Sequence, residues 1–307
     1  MSISRIKRII GPAFLAIIFI ACEDSSEDLQ KEKEMHLLRQ YLESNNINVE
    51  PQSSGLYYVP ITEGSGIKPE KDHWVVIRYT ARLVNDRVFD TTDEKIAISN
   101  NIYSSSVIYG DNRLSLASLK LEGVIEGLML MKEGTSALLI IPSHLGYGGE
   151  STGSIPPYST LIYDIELLRV IPDPEVYEQQ LIDNYISQYS DSAHLEVNLK
   201  ESGMYYIQLS EGTGTDSPED SDMVSVYYKG TLTDGRQFDT NIGSSALNFT
   251  IGENQTVSGF EEGVKLMKKD ERARILMPSS LAYGAEGSGK IPGYTPLVFY
   301  LELINIQ

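Results

Sequence analysis

The sequence predicts an α+β protein built from two tandem copies of one unit, each a mostly antiparallel sheet folded around one short helix. Three observations predict it. An ordered set of short motifs occurs twice, in the same order. Such an internal repeat means two copies of one folded unit. Most apolar residues within each copy alternate with polar ones, which is the period of a half-buried strand. Only one short stretch per copy, 123–131 and 259–267, has helical spacing.

The repeat runs in step. Tyr79, Phe89 and Asp90 match Tyr228, Phe238 and Asp239. Gly123, Glu126 and Gly127 match Gly259, Glu262 and Gly263. Tyr147-Gly148 matches Tyr283-Gly284, Ile155-Pro156 matches Ile291-Pro292, and Leu161-Ile162-Tyr163 matches Leu297-Val298-Phe299. Each copy is preceded by a predicted helix. Residues 31–45 place Met35, Leu38 and Leu42 at helical spacing. A second helix begins at Asp173-Pro174, where Asp can cap and Pro suits the first helical position. It carries Tyr177, Leu181, Tyr185 and Tyr189 at intervals of four. Such a stripe is expected to pack against a neighbouring domain, or to form a dimer seam. Within the copies, Val224, Val226 and Tyr228 share one strand face. Asp234-Gly235 reads as a hairpin turn that needs positive φ, with Asn85-Asp86 in the same place earlier. The last strand turns Leu297, Phe299, Leu301 and Leu303 inward, and Leu161, Tyr163, Ile165 and Leu167 match them.

The chain of 307 residues carries a formal charge of −18. That balance argues against nucleic acid, whose phosphates need a basic face. Arg5, Lys7 and Arg8 precede the apolar run Ile9–Ile20, too short for a comfortable membrane span. A basic stretch before a short apolar one reads as an export signal. The single cysteine, Cys22, follows Phe19-Ile20-Ala21. This resembles the lipobox of bacterial lipoproteins, with Phe19 where leucine is commoner, and implies lipidation at Cys22 and a cell-envelope location, periplasmic or surface-exposed. An ordinary cleaved signal or an accidental cysteine is the alternative. Removing 1–21 takes away three cations and leaves −21. The globular part beyond Cys22 holds no cysteine to form a disulfide, so an exported protein would depend on its cores alone.

The expected organisation is therefore a signal at 1–21, an acidic, serine-containing tether at 22–30 and a first domain with its leading helix at 31–171. A linker helix at 172–200 and a second domain at 201–307 complete it.

The repeated aromatics carry the functional signal. Tyr228, Phe238, Phe260, Tyr283 and Phe299 are more rings than one short helix can hide beneath a sheet. Some of them are expected to line a concave apolar pocket. Asp239 directly follows an inward aromatic, and the Tyr228 phenol could partner it. Together, Tyr228-Lys229-Gly230, Gly235 to Asp239, Gly259 to Val264, Leu281 to Gly284 and Leu297-Val298-Phe299 resemble the FKBP-type peptidyl-prolyl isomerases. The likeness covers most of each copy. It implies a half-barrel sheet around a short helix, with a proline pocket between them.

For the second copy the resemblance implies a pocket of Tyr228, Phe238, Asp239, Val257, Phe260, Tyr283, Ile291 and Phe299. Phe260 would be the floor. Ile291 would donate its backbone N–H to a substrate carbonyl, Tyr283 would hold another, and Asp239 would orient Tyr228. In the first copy, Tyr79, Phe89, Asp90, Tyr147, Ile155 and Tyr163 match. Val124 replaces the aromatic floor and Ala81 replaces Gly230. Matching Gly110 to Gly252 places insertions on both sides of that glycine, so altered or weaker activity is expected there. In the second copy, the loop before Ile291 is slightly short, and Gly293 stands where the first copy keeps Pro157.

The implied activity is X-Pro isomerisation in proline-containing envelope clients, chiefly by the second copy. The implied ligands extend to macrolide-type molecules. A non-catalytic binding chaperone and a structural component of a surface machine are the alternatives. No cofactor is expected. Gly284–Lys290 nearly spells a phosphate loop, but Ile291 and Pro292 follow where a Ser or Thr and a helix should. His36, His73, His144 and His194 lack metal-ligand spacing. Ser279-Ser280 lacks an elbow motif.

Overall fold

The structure is a computed structural model, and it describes residues 17–193 and 196–307. The side chains of 17–26 and 189–193 are outside that description. The export-signal reading falls on residues 1–21, and 1–16 lie outside the described residues, as does the Cys22 side chain. Among the described residues, no helix is long and apolar enough to cross a membrane.

The elements of the first repeat are α1 (Ile17–Ser44), β1 (Tyr57–Thr62), β2 (Trp74–Leu83), β3 (Val88–Thr91), α2 (Glu94–Ser99), β4 (Asn112–Ser115), α3 (Glu122–Leu130), β5 (Ser136–Ile141) and β6 (Leu161–Ile171). The second repeat has α4 (Pro174–Ala193), β7 (Asn198–Leu199), β8 (Tyr205–Ser210), β9 (Met223–Leu232), β10 (Gln237–Thr240), β11 (Leu247–Thr250), α5 (Ser258–Lys265), β12 (Arg272–Met277) and β13 (Leu297–Ile306). The first sheet runs β1-β5-β6-β2-β3, with β4 also on β2; the second runs β10-β9-β13-β12-β8-β7, with β11 also on β9. The pairings between β1, β5 and β6, and those among β8, β9, β12 and β13, are antiparallel. The α+β class and the paired architecture are as the sequence implies.

The chain divides into two compact units. Unit 1 is 1–68, 79–91 and 119–167; unit 2 is 69–78, 92–118 and 168–307. Helix α1 reaches back through residues 23–30, which composition alone assigned to a tether.

Each leading helix docks on the outer face of a sheet in its own unit. In unit 2, Ile182, Tyr185 and Ile186 of α4 pack on Leu276, Val298 and Tyr205. In unit 1, Leu38 and Tyr41 of α1 pack on Ile140 and Ile162. Of the tyrosine stripe, Tyr185 covers this sheet. A buried carboxylate pins each helix. Glu178 accepts from the Ser279 N–H (2.5 Å) and hydroxyl (2.8 Å). Glu34 accepts from the Ser143 N–H and hydroxyl (both 2.6 Å) and from the Thr160 hydroxyl (2.9 Å). Asp173 caps α4 as its position predicts, its Oδ1 accepting from the N–H groups of Glu175 and Val176.

The inner face of the second sheet is strictly alternating. Ala273, Ile275, Met277, Leu297, Phe299, Leu301 and Leu303 enter one core with Phe260 and Val264 of α5. The β9–β10 hairpin closes through a turn in which the Gly235 N–H reaches Leu232 O and only Gly235 takes positive φ, +88°. A bulge between Gln237 and Asp239 follows, and it re-aims the strand end.

The register corrects the placement of the insertions. Gly110 precedes β4, whereas Gly252 follows β11, so the two glycines are not equivalent. Strand β4 pairs Trp74 with Ser115, and β11 pairs Met223 with Thr250. The extra residues of the first repeat therefore all lie between β3 and β4. They form α2 and the loop after it.

Candidate functional site

Strand alternation and a short helix build the site of the second repeat. Strand β9 presents Tyr228, β10 presents Phe238 and Asp239, β13 presents Phe299, and α5 raises Phe260 from below. The rings meet edge to face. Centroids lie 5.2 Å apart for Phe260 and Phe299, 5.5 Å for Phe238 and Phe299, and 5.6 Å for Tyr228 and Phe260. All three interplanar angles fall between 83° and 87°. Such pairs each stabilise by about 0.5–1.5 kcal/mol beyond area burial. Phe249 of β11 adds a fifth ring, 5.9 Å from Phe260. Sequence reasoning missed it, although the Leu247–Thr250 alternation signals an inward phenylalanine.

Asp239 holds the polar edge. The Tyr228 hydroxyl donates to Asp239 Oδ2 at 2.7 Å, and the Thr240 N–H donates to Oδ1 at 2.8 Å. Burial, and then the hydrogen bond to the Asp239 carboxylate, push the Tyr228 phenol up to about 12. Tyr228 is thus a neutral, fixed hydroxyl across the ordinary pH range. Behind it, Asn241 accepts from the Tyr228 N–H (2.7 Å) and donates to Val226 O (2.9 Å).

Tyr283 stands at the rim, 37% exposed, and its charge would act on Tyr228. Its hydroxyl has no partner among the described residues. Ile291 is buried with the same core. Its N–H, however, donates to Ser288 O at 2.9 Å, and the Ser288 N–H returns the bond to Ile291 O. This two-way bridge closes the loop and occupies the N–H to which the sequence reading gave a substrate carbonyl. Val257 offers the alternative. It packs against the same core, sits in extended conformation just before α5, and its N–H has no acceptor among the described residues.

A glycine shapes the box. Gly230 pairs with both Asp239 and Phe299 in register. A Cβ there would lie 2.5 Å from Phe238 Cζ and 3.0 Å from Phe299 Cε1. Only glycine lets both rings lie across the strand.

The first repeat keeps the polar pair and loses the box. The Tyr79 hydroxyl donates to Asp90 Oδ2 at 2.7 Å, the same geometry. Burial first, and then Asp90, raise the Tyr79 phenol; burial also raises Tyr163 and Tyr147. Tyr79 lies 5.7 Å from Tyr163, tilted by 36°, and Phe89 lies 6.2 Å from Tyr163. Ala81, fully buried, occupies the position of Gly230, and buried Val124 that of Phe260. Ile155 closes the same loop bridge, with Thr152.

The profile described as FKBP-type peptidyl-prolyl cis-trans isomerase matches residues 65–168 and 214–304. The chain belongs to this family. It is 42% identical over 145 residues to the FKBP-type peptidyl-prolyl cis-trans isomerase FkpA of Aeromonas hydrophila, covering 46% of this chain and 52% of that protein. It is 31% identical over 237 residues to peptidyl-prolyl cis-trans isomerase FKBP10 of Bos taurus, covering 76% of this chain and 34% of that protein. The chain thus spans about half or less of the length of these relatives. A crystal structure of FkpA from Escherichia coli is 32% identical, with a TM-score of 0.39, over 43% of this chain and 61% of that one.

Proposed function

We propose that this FKBP-family chain catalyses cis-trans isomerisation of X-Pro bonds, chiefly through its second repeat. The observation that carries the reading is the edge-to-face box of Tyr228, Phe238, Phe260 and Phe299, with Tyr228 tied to Asp239. Rotation about a peptide bond faces about 18–20 kcal/mol of resonance. X-Pro bonds therefore turn over tens to hundreds of seconds, slowly enough to limit folding. A dry aromatic box grips the prolyl ring and disfavours the planar, polar amide. It favours the twisted amide, in which resonance is lost and the carbonyl is less charged. The unpartnered Val257 N–H meets a carbonyl beside the prolyl ring, and the Tyr283 hydroxyl meets a second. Asp239 fixes Tyr228 and keeps the rim polar. The reaction then needs no nucleophile or cofactor.

The substrates in this reading are proline-containing segments of exported proteins, and macrolide-type ligands would compete for the same box. The protein would be held at a bacterial envelope by a lipid on Cys22. The first repeat, with Val124 for a floor, would bind prolyl segments with little turnover. This is the specific basis for a second reading, in which that repeat acts as a holding module.

The test is a protease-coupled proline-peptide assay on the full chain. Phe260→Val, which copies the first repeat, should remove most turnover, whereas Asp90→Asn should leave most of it. Turnover that follows Asp90 instead would reassign the activity to the first repeat. Retention of turnover in both variants would refute the site.

A further inference from the structure

The two repeats own the same outer groove, and among the described residues only one of the two is filled. In unit 2 the groove is framed by Tyr177 and Leu181 of α4, Leu232 at the β9 end, and the loop Pro292–Thr295. Segments of the same unit fill it. Trp74 meets Tyr294 edge-on, with centroids 5.7 Å apart. Arg113 donates to Gly293 O at 2.8 Å and to Thr295 Oγ1, and lies over the Tyr177 ring. Ile108 adds apolar contact, and about 260 Å³ remains.

In unit 1, Lys33 and Leu37 of α1, Leu83 and the loop Pro156–Thr160 frame the counterpart. The match is close. Tyr158 and Tyr294 take φ of +53° and +54°, and their N–H groups reach Gly148 O and Gly284 O. The Ser159 and Thr295 hydroxyls donate to Pro156 O and Pro292 O. Among the described residues this groove is open, with about 600 Å³ of space, and Leu37 on its wall is 39% exposed.

The chain itself carries a surface that corresponds to the filling one. Strand register equates the Val76–Arg113 pair with Ser225–Asn248, and Trp74 with Met223. Met223 is 48% exposed, and Asn248 is exposed too. The Ser225 hydroxyl donates to Asn248 Oδ1, which leaves the amide N–H groups as donors where Arg113 has its guanidinium. One difference between the grooves selects this occupant. Lys33 stands where Tyr177 supports Arg113, so a guanidinium would lose its ring and meet a cation. A neutral amide avoids that repulsion while still reaching Ser159 and the Pro157 carbonyl.

We propose that the Met223–Asn248 face of one molecule docks in the Leu37–Tyr158–Ser159 groove of a second copy. The contact is heterologous, head to tail, so it builds chains or rings rather than a closed two-fold dimer. The charge of −18 opposes association at low ionic strength, and salt should strengthen it.

Sedimentation velocity on the full chain, over a range of concentration at low and high salt, tests this. The variants are Leu37→Glu, which blocks the groove, and Met223→Glu, which blocks the face. Both sites are exposed, and unchanged circular dichroism and melting would verify folding. The wild type should grow past a dimer with concentration, more so at high salt. Each variant alone should be monomeric. Their equimolar mixture should form a 1:1 dimer and nothing longer, because one intact groove meets one intact face. A wild type that stays monomeric, variants that still associate, or a mixture that fails to pair would each overturn the proposal.

Discussion

Gly230 and Phe238 lie so close that a methyl group on the glycine would sit 2.5 Å from the ring's Cζ atom. The relationship links the backbone to the shape of the aromatic box, because Phe238 and Phe299 reach their edge-to-face contact only across that bare strand position. Gly230→Ala should therefore displace both rings. Overpacking of this kind costs about 1–3 kcal/mol. Turnover should fall further than stability, since the box loses shape before the sheet loses pairing. Denaturant midpoints and the proline-peptide assay on the same samples check this. Full turnover in Gly230→Ala would contradict the account. The reverse change, Ala81→Gly, should leave activity unchanged, because Val124 still supplies no ring.

Tyr228→Phe keeps the ring and removes only the hydroxyl that Asp239 accepts. Asp239→Ala removes the acceptor and leaves a half-buried phenol unbonded. Leaving such a group unpaired costs about 1–3 kcal/mol. Asp239→Ala should thus be the more damaging of the two, both in melting temperature and in turnover. The double variant should cost less than the sum of the singles, and a double-mutant cycle measures this directly.

Much of this site is legible in the sequence because its parts recur on strands. Tyr228, Phe238 and Phe299 follow strict alternation, and the repeat supplies their partners in the first copy. The loops read less well. Gly110 and Gly252 both precede a glycine-led helix, yet strand pairing puts them on opposite sides of a strand. Spacing alone carries no register. Glu34 and Glu178 were unreadable for another reason: a glutamate on an amphipathic helix looks solvated until the serine that buries it is placed. The free backbone donor beside the aromatic box is hidden from the sequence as well. Whether Ile291 or Val257 has a free N–H depends on a four-residue bridge, which no side-chain pattern encodes.

The Tyr228 phenol gives a pH test. Its folded value is raised to about 12, above the ordinary tyrosine value near 10. The native state therefore holds its proton longer than the unfolded state does. The stability linked to this group is fully present below about pH 10 and declines as pH rises through about 12. Spectroscopic titration of tyrosinate should lose one late-ionising group in Tyr228→Phe, while the raised phenols of Tyr79, Tyr163 and Tyr206 remain. Asp239→Asn should lower that ionisation only in part, because burial is the larger cause and remains. A return all the way to about 10 in Asp239→Asn would show that the carboxylate, not burial, dominates.

Glu178 predicts how α4 is held. Its carboxylate takes both the N–H and the hydroxyl of Ser279, in the turn that follows β12. Glu178→Ala strands a buried N–H, at about 1–3 kcal/mol. Glu178→Gln keeps one acceptor oxygen and should recover part of that loss. The helix lies on the outer face of the sheet, on Leu276 and Val298, while the aromatic box lies on the inner face. Loosening the helix should therefore raise amide exchange along α4 and lower the melting temperature, with turnover per folded molecule nearly unchanged. Amide exchange in Glu178→Ala that rises equally across β13 and α5 would mean that the carboxylate supports the whole unit rather than the docked helix alone.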